Sequence, residues 1–153
     1  MTALALCLIY QQFHLDEPWD SPHNITLLAQ MPKIYACPSD PLAKPGTTPY
    51  QVVVGPRTIF TGGKPVAIRE ISDGTSNTIL VGETTSPVPW SAPEDLPMDA
   101  SVMASGFASR HPGGFNVLFA DGSVRFLKSS LNPAIFSQLL TRDGNEVISG
   151  GSY

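Results

Sequence analysis

Charge is scarce in this sequence: 14% of its 153 residues are Asp, Glu, Lys or Arg, and the net charge is −4. The nine basic residues stand singly, so the clustered basic footprint that a phosphate backbone demands is missing, and nucleic acid is excluded as a partner. No run approaches the roughly eighteen consecutive apolar residues of a membrane-spanning helix. Met1 to Tyr10 is apolar but short. It lacks a basic start and runs into Gln11-Gln12 without a small-residue cleavage site, so it reads as part of the fold and not as a signal peptide. Cysteine is scarce as well. Cys7 and Cys37 suffice for one bridge, and the sequence leaves their pairing open. The three histidines, His14, His23 and His111, show no His-x-x-x-His spacing, and no Cys-x-x-Cys occurs, so no metal site is expected. A Gly-x-Ser-x-Gly nucleophile elbow is absent, as are repeats, heptads and low-complexity tracts.

What the chain has in quantity is proline and glycine, fifteen and thirteen residues, within a composition that is 42% hydrophobic. Enough apolar material is present for a core, and the turn formers predict a loop-rich, strand-dominated single domain over 1–153 in which helix is the minority. Met1 to Phe13 is a helical segment or a strand. Ser21-Pro22 opens a short helix to about Gln30 with Ile25, Leu28 and Ala29 as its stripe, and Pro32 stops it. Lys33 to Ala36 reads as a short strand, followed by a long surface loop to Pro49. Tyr50 to Gly55 reads as a buried strand. Thr58 to Gly63 and Pro65 to Ile71 flank a turn at Gly62-Gly63, and Thr78 to Gly82 returns as a strand. Thr84 to Ser109 is an extended excursion. Asn132-Pro133 caps a helix whose buried stripe is Ile135, Phe136, Leu139 and Leu140, with Leu131 stapling onto Phe136, and Glu146 to Ile148 forms a last strand.

The strongest local signal lies between Arg110 and Lys128, within a C-terminal hairpin region of about 105–130. Asp121-Gly122 between two alternating apolar runs predicts a two-residue type I′ turn. That loop length sets Phe119 opposite Val124 and Val117 opposite Phe126, so Val117, Phe119, Val124 and Phe126 are expected to share the core face.

His111, nine residues, then Asp121-Gly122 resembles the prepilin-type H-X9-DG domain of the DUF1559 (SBP_bac_10) family. Cys37-Pro38-Ser39-Asp40, the run Asp73-Gly74-Thr75-Ser76-Asn77 through Glu83, Asn116 to Phe126, and Glu17-Pro18-Trp19-Asp20 agree with it. Members of that family typically begin with a prepilin methylation signal and a long apolar helix. No Gly-Phe-Thr-Leu-Ile-Glu-like motif stands here, so the chain resembles the head alone. The resemblance implies an α+β, β-rich pilin-like head: an antiparallel sheet with short helices and long Pro/Gly-rich loops. It also implies a cell-envelope or extracellular place, other pilin-like or envelope proteins as partners, and an apolar sheet face left open where the long helix would pack.

The residues themselves admit three chemistries. His111 with Asp73, Ser76 and Asp121 can be drawn as a hydrolytic set. The serines, however, sit in turns whose local hydrogen bonding accounts for them, and a structural His111 is the expectation. Asp73 to Asn77 is rich in oxygen and offers a weak calcium possibility, although the EF-hand pattern is absent. Trp19, Trp90 and Tyr50 lie in or beside proline-rich loops and can serve as a platform for a glycan or small ligand. Asn24-Ile25-Thr26 fits the glycosylation sequon, on a predicted helix.

Overall fold

A computed structural model describes residues 2–41, 43–99 and 106–145, with side chains from Leu6 onward. The elements in chain order are α1 (Thr2–Tyr10), β1 (Thr47–Gln51), β2 (Val53–Val54), β3 (Ile79–Pro89), β4 (Leu96–Pro97), β5 (Gly114–Phe119), β6 (Val124–Lys128) and α2 (Pro133–Leu140). Four strands form a sheet in the order β1-β3-β5-β6, and β2 pairs in parallel with β4. The expected α+β class with a β-rich body is what the chain adopts. The residues fall into two compact units, Met1–Pro49 with Ser86–Glu94 and Tyr50–Thr85 with Asp95–Tyr153.

The second unit is built on the β5–β6 hairpin and α2. Asn132 caps α2 as its sequence predicts, with its side-chain oxygen accepting from Ala134 N at 2.8 Å and Pro133 in the first turn. Phe136, Leu139 and Leu140 of that helix join Phe115, Val117, Phe119, Leu127, Ile79, Val53 and Phe107 in the core. The Phe107, Phe115 and Phe136 rings meet edge to face or tilted, with centroids 5.8–6.2 Å apart.

The hairpin register differs by one residue from the expected one. Leu118 pairs with Val124, Val117 with Arg125, Asn116 with Phe126 and Phe115 with Leu127. Of the Asp-Gly pair, Gly122 alone has positive φ, 84°, so the turn is not type I′. Gly122 N donates to Phe119 O and Phe119 N to Ser123 O, which closes a three-residue loop over Ala120, Asp121 and Gly122. One extra loop residue flips the whole of β6, because side chains alternate with period two. Val124 and Phe126 are therefore 67% and 48% exposed instead of buried, and Leu127, at 1%, takes the core position. Arg125 shares that inner face and lies over the Phe119 ring, 4.4 Å from its centroid.

Other expected strands give way to tighter turns. Lys33–Tyr35 and Ile68–Glu70 are 3-10 turns, and Phe60 makes only an isolated bridge to Val54. Between them, the Thr61 hydroxyl closes a local turn with Lys64, and the Glu70 carboxylate accepts Ala67 N at 2.7 Å, so local side-chain bonds replace a ladder. Asn24–Gln30 is also 3-10, with Asn24 and Leu27 buried in place of the expected stripe and Ile25 exposed. Asn24 accepts His14 N and donates to His14 O and Pro18 O, all at 2.9 Å, so the sequon asparagine pins a loop from inside. Cys7 and Cys37 are not joined in a disulfide. The strand expected at Glu146 to Ile148 lies outside the described residues.

Candidate functional site

β3 and β5 run antiparallel, Ile79 beside Phe119 and Gly82 beside Val117, with an irregularity between Ile79 and Val81. Each strand carries a polar residue at both approaches. Asp73 and Glu83 bracket the start of β3 ten positions apart, and His111 and Asp121 bracket β5 at the same spacing. Antiparallel pairing brings these brackets together end to end. Asp121 N donates to Thr75 O and Ala120 N to Thr78 O at one end, while His111 meets Glu83 at the other.

At the Glu83 end the regular ladder stops. Ala108 N takes the Glu83 carbonyl at 2.9 Å, and Asn116 N turns to the Glu83 carboxylate, at 2.7 Å from Oε2. The Asn116 side-chain nitrogen lies 3.2 and 3.4 Å from the two carboxylate oxygens, and His111 Nε2 lies 3.3 Å from Oε1. Glu83 is 2% exposed, so this carboxylate stands in for a missing backbone acceptor inside the sheet. Gly82 permits the divergence, since a Cβ there would sit 2.6 Å from the Phe107 ring that packs against it. The Ser109 hydroxyl braces the loop, donating to Gly114 O at 2.8 Å and accepting His111 N at 3.0 Å.

The opposite end is equally committed. Asp73 Oδ2 accepts Gly144 N at 2.7 Å and Oδ1 accepts Asn145 N at 2.6 Å, while Asn77 donates its side-chain N–H to Asp73 O. Thr78 returns its hydroxyl to Gly74 O, and Gly74, with φ 91°, supplies the left-handed step before the 3-10 turn Thr75–Asn77, which includes Ser76. Asp121 Oδ1 accepts both Ser123 N, at 2.8 Å, and the Ser123 hydroxyl, at 2.6 Å. Those two bonds, the hydroxyl's first, and Arg125 close by hold its carboxyl below the ordinary value.

His111 therefore stands at one end of the strand pair, and Asp73, Ser76 and Asp121 at the other, so the drawn hydrolytic set is not assembled. Cys37-Pro38-Ser39-Asp40 forms a turn in the first unit, closed by Asp40 N to Cys37 O at 3.2 Å with Cys37 buried. Trp19 is half-buried there, and Tyr50 is half-buried in the second unit. Trp90, in the first unit, stacks on Tyr35 with centroids 5.5 Å apart and meets Phe13 edge on at 5.8 Å. Sequence reasoning missed Asn116, Ser109, Tyr35 and Phe13. Asn116 left one signal, a polar residue inside the apolar run Phe115 to Phe119, while the roles of the other three depend on tertiary approach alone.

The family model described as protein of unknown function (DUF1559), SBP_bac_10, matches residues 89–134. Over this stretch the chain is similar to that family. The match spans Trp90, His111, the hairpin with Asp121-Gly122, and the start of α2; the Cys37–Asp40 and Asp73–Glu83 runs lie outside it. No curated protein and no solved structure matches the chain. No helix of the described residues is long and apolar enough to cross a membrane.

Proposed function

We propose that this chain is a non-enzymatic, pseudopilin-like cell-envelope protein, a head that serves in a secretion system or surface fibre among other pilin-like or envelope proteins. One observation carries the reading. The polar signature residues of the DUF1559 hairpin and its neighbouring strand accept backbone N–H groups of the fold: Glu83 from Asn116, Asp73 from Gly144 and Asn145, Asp121 from Ser123. A motif that closes a sheet at both ends is a building device, and it leaves function to the surface. With both Asp73 oxygens accepting N–H groups, the Asp73–Asn77 turn is read as structural, without calcium or another cofactor. On the outer face of the edge strand β6, Val124 and Phe126 are exposed, the kind of surface a partner covers.

Fractionation of cells expressing the natural gene, followed by cross-linking, tests this. Recovery in the envelope or medium, linked to pilin-like proteins, is the expected result. Recovery in the soluble cytosol alone overturns it. So does a hydrolytic activity of the purified protein that His111→Ala abolishes at unchanged melting temperature.

A further inference from the structure

We propose that the first unit binds a small, uncharged, planar molecule in the cleft beside α1 and Trp90. The cleft holds about 440 Å³, within the roughly 300–1,000 Å³ of small-molecule sites. Ile9, Tyr10, Phe13, Tyr35 and Trp90 are among its walls. Flat rings with fixed mutual geometry favour a flat occupant, because offset and edge-on ring contacts add to plain area burial.

The lining also sets the charge of the occupant. Among the described residues, no Asp, Glu, Lys, Arg or His lines the cleft, and Gln11 is the one side-chain amide. An ion would enter without a counter-charge, and a sugar would give up more hydrogen bonds to water than these walls return. The ligand class is therefore a neutral, planar aromatic of about two rings. The reading is independent of envelope assembly, since it concerns a different set of residues.

The test uses 6-propionyl-2-(dimethylamino)naphthalene, a neutral, planar two-ring fluorophore, and a Trp19→Phe protein in which Trp90 is the remaining indole. Saturable one-to-one enhancement with energy transfer from Trp90 is expected, and Trp90→Leu should weaken it by about tenfold. Should Trp90→Leu fail to fold, the unaltered protein gives the answer. Cys7 lines the cleft and is exposed while Cys37 is buried, so the bound probe should slow N-ethylmaleimide alkylation of Cys7 by about fivefold or more. An anionic analogue, with carboxymethyl in place of one N-methyl group, should bind about tenfold more weakly. Unsaturable probe binding, saturable binding with an unchanged Cys7 rate, or equal affinity for the charged analogue each overturns the proposal.

Discussion

Glu83 accepts the backbone N–H of Asn116 at 2.7 Å, so a side-chain carboxylate closes the sheet where β5 leaves β3. Glu83→Ala leaves that buried N–H without its acceptor and should cost about 3 kcal/mol, whereas Glu83→Gln, which keeps an oxygen in place, should cost about half as much. His111→Ala should cost less than Glu83→Ala, because Asn116 still holds the carboxylate. Urea midpoints at an unchanged slope rank the three, and an order led by His111→Ala would place the weight of the site on the wrong residue.

Asp73 ties the turn after α2 to the turn before β3 through two backbone amides. In Asp73→Ala the Gly144 and Asn145 amides lose their acceptor. Their hydrogen exchange should accelerate strongly while amides of β5 stay protected relative to global stability. Uniform acceleration across the second unit would mean that the clamp is global and not local.

Part of this arrangement was readable in advance. The α2 cap at Asn132-Pro133 and the inward face of Val117 and Phe119 follow from signals contained within a few residues, and they stand. The length of the hairpin loop does not follow in the same way, since Asp-Gly serves both a two-residue type I′ turn and the end of a three-residue turn with a left-handed glycine. Hydrophobic pattern even favours the wrong register, which would bury Val124 and Phe126. What decides is Ser123, whose two bonds to Asp121 fit the longer loop. The pairing of Glu83 with His111 could not be read locally, for it depends on residues 106–111 approaching β3.

That register yields a direct test. Leu127→Ala should cost about 2–5 kcal/mol as a core deletion, and Val124→Thr less than about 0.5 kcal/mol as a surface change. The reverse ranking in urea unfolding would restore Val124 to the core and the two-residue loop with it.

Gly122 has φ 84° and nothing within 4 Å of where a Cβ would stand, so strain of the backbone is the sole cost of a side chain there. Gly122→Ala should destabilise by about 1–2 kcal/mol and Gly122→Val by more, since a β-branched residue resists positive φ. Asp121→Gly, at negative φ, should gain nothing and lose the Ser123 bonds. Stabilisation by Asp121→Gly would point to positive φ at both positions and hence to a type I′ turn.

The same Asp121 sets an acid-dependent term. Its carboxyl is held below the ordinary value of 3.8, first by the Ser123 hydroxyl, then by the Ser123 N–H, with Arg125 adding to both. A depressed folded pKa means that the ionised form is favoured by folding, so the contribution is complete above the unfolded value and fades as pH falls through the lower folded one. Asp121→Asn keeps an oxygen for Ser123 N but cannot titrate. The stability difference between the natural protein and this variant should thus hold steady near about pH 6 and shrink toward about pH 3. A difference that stays flat to the acid end, measured by urea midpoints, would mean that Ser123 and Arg125 do not favour the charged form of Asp121.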